Sequence, residues 1–75
     1  MSANVVAVEQ EFAELPARID ALEREQAQLN ASVADPAFYR SGADAIASTL
    51  ARLDVIQREL LSVYARWDEL GSRGQ

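Results

Sequence analysis

Apolar residues recur every three or four positions along two stretches of this chain, with a short polar segment between them. In the first stretch Leu15, Ile19, Leu22, Gln26, Leu29 and Val33 are spaced by four, three, four, three and four residues. That spacing puts one side chain per turn on a single stripe of an α-helix, the a/d seam of a coiled coil, and such a seam needs a partner. Val5, Val8 and Phe12 continue the same phase upstream. The second stretch reads Ile46, Thr49, Leu53, Ile56, Leu60, Val63, Trp67 and Leu70, and Leu50, Leu61 and Tyr64 widen its stripe. The pattern predicts an all-α fold, an antiparallel two-helix coiled-coil hairpin with helix 1 at about 5–34, a turn over 34–41 and helix 2 at about 42–70. Residues 1–4 have nothing to bury and are expected to be disordered, and residues 71–75 are expected to fray once Gly71 supplies a left-handed helix stop.

Pro16 lies inside the first stripe. Proline has no N–H to donate to the carbonyl of Phe12, and its ring crowds that turn at a cost of about 3 kcal/mol in a helix interior. Either Pro16 opens a helix at its first position, or it lies within a long helix that is distorted locally towards 3-10 geometry. The surviving phase of the stripe favours the long helix. The intervening segment ADPAFYRS stops it: Asp35 can cap a turn begun by Pro36, and Ser41 with Asp44 three residues on forms a variant capping box for the second helix. Phe38 is expected to cover the end of the seam; the alternative is that Phe38, Tyr39 and Arg40 form an aromatic, basic tip that stacks on a base or presses on a partner.

The same positions fix an alignment of the two stripes. Centring the turn pairs Phe12 with Val63, Val8 with Trp67, Ile19 with Ile56 and Gln26 with Thr49, so the two polar seam residues meet and can satisfy each other. Glu25 then lies by Arg52, Arg18 by Glu59 and Glu11 by Arg66, whereas a slip of one heptad would bring Arg18 to Arg66 and Glu25 to Glu59. Asp20 with Arg24, and Glu14 with Arg18, add acid-first pairs four residues apart.

Composition removes most chemistry. Seventy-five residues make one small domain with little room for an enclosed pocket. There is no cysteine or histidine, which removes disulfides, thiol nucleophiles, imidazole bases and the usual zinc ligands, so neither a metal site nor a cofactor nor a small-molecule substrate is expected. Glu23 and Glu25 point to different sides of a helix and do not read as an acid/base pair. No apolar run suggests a signal peptide or membrane span, and a cytoplasmic location follows by default. Twelve acids against seven basic residues, all arginine, give a net charge of -5, which argues against DNA as a sole, strong partner.

Three elements carry a resemblance: Glu14-Leu15-Pro16; Ala34-Asp35-Pro36 with Phe38-Tyr39; and Arg66-Trp67-Asp68-Glu69-Leu70. In that order, over about residues 9–70, the chain resembles the C-terminal coiled-coil domain of the Uup-type ABC-F ATPases of bacteria. The resemblance implies a helical hairpin joined to two ATP-binding cassettes, contributing to DNA binding and to the parent ATPase's action on nucleic acid or ribosomes. It also implies the cassettes of the same parent chain or the ribosome as partners. The family's lysine-rich linker has no counterpart here, and without a GxxxxGK[ST] phosphate loop this polypeptide is not expected to be an enzyme.

For nucleic acid the candidates are the arginines left after internal pairing, Arg40 at the tip and Arg73 in the tail, which predicts weak, salt-sensitive binding of DNA. The other reading is a free-standing helical-hairpin adaptor for protein–protein interaction, which would offer Leu50, Leu61, Tyr64 and Tyr39 to a partner.

Overall fold

Two α-helices, α1 over Ala3–Ala34 and α2 over Ala43–Arg73, lie antiparallel and are joined by a single 3-10 turn, Pro36–Arg40. The computed structural model describes the backbone of residues 3–73 and the side chains of residues 4–72. The expectations for Met1, Ser2, Gly74, Gln75 and the side chain of Arg73 lie outside the described residues. The hairpin is a rod of 57 × 18 × 15 Å. Its surface of 5547 Å² exceeds the roughly 4,500 Å² expected of a compact protein of the same mass, so one seam is all that is buried.

That seam is the one the periodicity outlines. Leu15, Ile19 and Leu22 of α1 pack with Ile56, Leu60, Val63 and Leu70 of α2, and Val8 and Leu29 lie against them, half-buried. Ile56 is fully enclosed. Towards the turn, Gln26, Val33, Ile46, Thr49 and Leu53 are only half-buried, so the core is concentrated in the middle of the rod and thins towards the tip.

α1 runs through Pro16 as one helix, and no 3-10 segment marks the proline. The turn is built as expected at its start: the Ala37 amide donates to Asp35 Oδ1 at 2.9 Å, which caps the segment that Pro36 opens. Its far end differs. Ser41 closes the 3-10 turn, its amide donating to the Phe38 carbonyl at 3.1 Å and its hydroxyl donating to the same oxygen, so it is not the N-cap of α2. That role passes to Gly42, whose carbonyl accepts from the Ile46 amide at 3.1 Å and whose φ of +101° reverses the chain. Gly71 is correspondingly not a left-handed stop: α2 continues through it to Arg73. The glycine that needs its conformational freedom is the one at the turn.

Three interhelical ion pairs set the register, and they are the three read from the sequence. Arg52 grips Glu25 with two bonds of 2.6 and 2.7 Å, Arg66 grips Glu11 with two of 2.6 and 2.9 Å, and Arg18 reaches Glu59 at 2.8 Å. The Gln26–Thr49 pair does not form among the described hydrogen bonds. Thr49 donates instead to the carbonyl of Ala45, one turn back on its own helix, at 2.9 Å. A hydroxyl half-open to water finds that local acceptor without needing the opposite helix.

Candidate functional site

Two places on the rod stand out, its tip and one of its long edges. At the tip the short turn holds Phe38 and Tyr39 edge to face, with ring centroids 5.3 Å apart at 81°. Phe38 is half-buried, whereas Tyr39 is 64% exposed. Arg40 follows, exposed and without an ion pair among the described residues. Every other arginine whose side chain is described is engaged: Arg18, Arg52 and Arg66 across the hairpin, and Arg24 and Arg58 with Asp20 and Asp54 one turn back, at 3.1 and 2.7 Å. The tip is therefore where a free guanidinium and an open aromatic face come together. Arg73, the other arginine singled out, has a helical backbone at the opposite end of the rod.

The two long edges differ because the seam is flanked differently on each side. In heptad terms the g positions of both helices form one edge and the e positions the other, with b positions beyond e and f positions on the back of each helix. The g edge is charged and internally satisfied. It carries Glu11, Arg18 and Glu25 from α1 against Arg66, Glu59 and Arg52 from α2. The hydrogen bond from Arg66 holds the Glu11 carboxyl below the usual carboxylate range, and that from Arg52 does the same for Glu25; the paired charges add to both effects. Arg66 also reaches Glu69 at 3.2 Å.

The e edge is apolar at its centre. Leu50, Leu61, Tyr64 and Trp67 of α2 and Val5, Val6 and Phe12 of α1 are all exposed and fall on its a, b and e positions. Leu50 and Leu61, which the sequence offers to a partner, are 48% and 64% exposed. Tyr64 is less free than expected, because its hydroxyl donates to Glu23 Oε2 across the hairpin at 2.6 Å and ties the two helices together. That bond, with burial adding to it, holds the phenol's pKa above its ordinary value.

Phe12, Trp67 and Val5 correct the sequence expectation. All three lie on the predicted seam, yet they are 38%, 43% and 46% exposed, while Glu11 beside Phe12 is half-buried. Helices packed about 8–10 Å apart cannot hold two large aromatic rings in adjoining layers. The rings lie instead at the surface of the e edge. There Phe12, Trp67, Asp68, Gly71 and Ser72 line an open groove of about 250 Å³. Gly71 lies beside the Phe12 ring: a Cβ there would make an ordinary contact, 3.7 Å from Phe12 Cε1. Periodicity alone missed this groove; the signal that points to it is two aromatics at successive seam layers with a glycine one turn further on.

Among the described residues no group of His, Cys, Asp or Glu is placed to hold a metal ion, and no helix is long and apolar enough to cross a membrane. The groove is smaller than the roughly 300–1,000 Å³ of small-molecule pockets and is open to solvent.

The family model described as ABC transporter C-terminal domain matches residues 7–72. Two proteins of Haemophilus influenzae, "ATP-binding protein Uup-like" and "ATP-binding protein Uup", are each 34% identical to it over 62 residues, which is 83% of this chain but 14% and 10% of theirs. The chain therefore spans a small part of the relatives it matches. No solved structure gives a significant match. The matched residues take in α1 from before Phe12, the whole turn, and α2 to its last turn, and on that ground the chain belongs to the ABC transporter C-terminal domain family, as a C-terminal domain of the Uup type.

Proposed function

We propose that this hairpin is a non-catalytic accessory domain of an ABC-F-type ATPase that acts in the cytoplasm, and that it adds a weak nucleic-acid contact, DNA first, to the action of its parent. ATP binding and hydrolysis would belong to cassettes elsewhere in the parent. The observation that carries the nucleic-acid part is the tip, where Arg40 is free of ion pairs and Tyr39 is open to stack, while the other described arginines are held by acids. Phosphate contact by one or two guanidinium groups, Arg40 with Arg73 as the second candidate, supports only modest affinity, and stacking of a base on Tyr39 would add to it.

Fluorescence anisotropy of labelled DNA oligonucleotides, single- and double-stranded, tests this at two salt concentrations. Binding should be weak and fall steeply with salt. Arg40→Ala should lower the salt slope by about 1, and Tyr39→Ala should weaken binding to single strands more than to duplex. Binding that neither tip substitution alters, or that stays tight at physiological salt, would overturn the assignment.

A second reading, a helical-hairpin adaptor, is favoured by the exposed Leu50, Leu61 and Tyr39 and by the apolar face of Tyr64. Mixed oligomers with another helical protein, in the absence of nucleic acid, would support it.

A further inference from the structure

We propose that the groove lined by Phe12, Trp67 and Asp68 is a docking site for a basic amphipathic helix, whose apolar stripe covers Leu61 and Tyr64 and whose lysine or arginine side chain enters the groove. This surface is distinct from the tip and does not depend on the nucleic-acid contact proposed there.

The groove brings together two features that recognise a long cationic side chain. Phe12 and Trp67 supply aromatic walls on which alkyl carbons and a cation pack, and Trp67 is the best of the side chains for that contact. Asp68 supplies a carboxylate at the rim, with no ion pair among the described residues. A volume of about 250 Å³ suits one inserted side chain rather than a free ligand.

Charge along the rest of the edge selects the same partner. Acids at the e and b positions are Glu9, Asp20, Glu23, Asp54 and Asp68, and every arginine of the helices with a described side chain is at f or g instead. Asp20 and Asp54 are neutralised by Arg24 and Arg58, and Glu23 accepts from Tyr64. Glu9 and Asp68, both at the open end, have no ion pair among the described residues and remain for a partner. An apolar strip with an acidic rim is complementary to a helix with an apolar stripe and basic flanks. It is mismatched to the alternatives. A second copy docked through the same edge would set Glu9 and Asp68 of each copy in a shared interface, and nucleic acid would meet carboxylates.

Trp67 is the single tryptophan and reports directly on the groove. Two synthetic, tryptophan-free amphipathic peptides with the same leucine stripe serve as probes, one flanked by lysine and arginine and the other by glutamate. The basic peptide should shift Trp67 emission to shorter wavelength with saturation, and the acidic one should leave it unchanged. Asp68→Lys should weaken the basic peptide by about fivefold or more. Asp44→Lys makes the same change of net charge at the far end of α2, and it should leave binding within about twofold. Far-UV circular dichroism establishes that both variants are folded. The proposal fails if the two peptides bind alike, if the two lysine variants weaken binding equally, or if the hairpin alone sediments as a dimer with Trp67 already shielded.

Discussion

Gly42 holds a conformation that no other residue of the turn could take cheaply. Its φ of +101° lies where a Cβ meets the backbone, although the space around the position is open. Gly42→Ala is therefore expected to cost about 1–2 kcal/mol through backbone strain rather than through any clash. Chemical denaturation of the variant beside the parent measures this, and Gly71→Ala is the control. Gly71 is helical and its added methyl would make an ordinary contact with Phe12, so the control should be near neutral or stabilising.

α1 carries a built-in defect in Pro16, inside a helix of 32 residues. The helix persists because Leu15 and Ile19 on either side of the proline are anchored in the core, and Pro16 itself faces outward. Pro16→Ala restores the missing amide donor to the Phe12 carbonyl, so it should raise stability by about 2 kcal/mol, after allowance for the looser unfolded chain. A thermal melt that is unchanged or lower would mean that the proline positions the Phe12 end of α1 in a way the straight helix cannot. α2 has no such interruption, and its exposed Leu50 and Leu61 reflect a surface rather than a strained backbone.

The hairpin as a body has one satisfied edge and one unsatisfied edge, and acid should loosen the first. Glu11 and Glu25 have folded pKa values below the ordinary 4.5, through their hydrogen bonds to Arg66 and Arg52. A carboxyl depressed in this way adds stability that is complete above its unfolded value and is lost as the pH falls through its folded value. Glu25→Gln should therefore melt below the parent at pH 7, and the gap should close as the pH drops below about 4.5. Comparing the two proteins at each pH removes the background effect of the other carboxylates on a chain of net charge -5. A gap that persists unchanged in acid would show that the pair contributes through packing and not through charge.

Spacing by three and four was enough to define the two helices, because a coiled-coil seam repeats its apolar positions whatever the surroundings. The turn followed from Asp35-Pro36, and the alignment from the charges that flank the seam, since Glu11, Arg18 and Glu25 have acceptable partners in only one register. What periodicity could not resolve was how much room the seam has at each layer. Phe12 and Trp67 keep the right phase and still leave the core, because two large rings crowd a seam between closely packed helices. The role of each glycine was hidden for the same reason: a sequence shows where backbone freedom is available, and the folded chain shows that Gly42 uses it while Gly71 is an ordinary helical position. Tyr64 reads as a surface aromatic until the opposite helix brings Glu23 within reach of its hydroxyl. Local periodicity and flanking charge thus fixed the elements, their order and the charged edge, whereas the groove came from packing between Phe12 and residues more than forty positions away in α2.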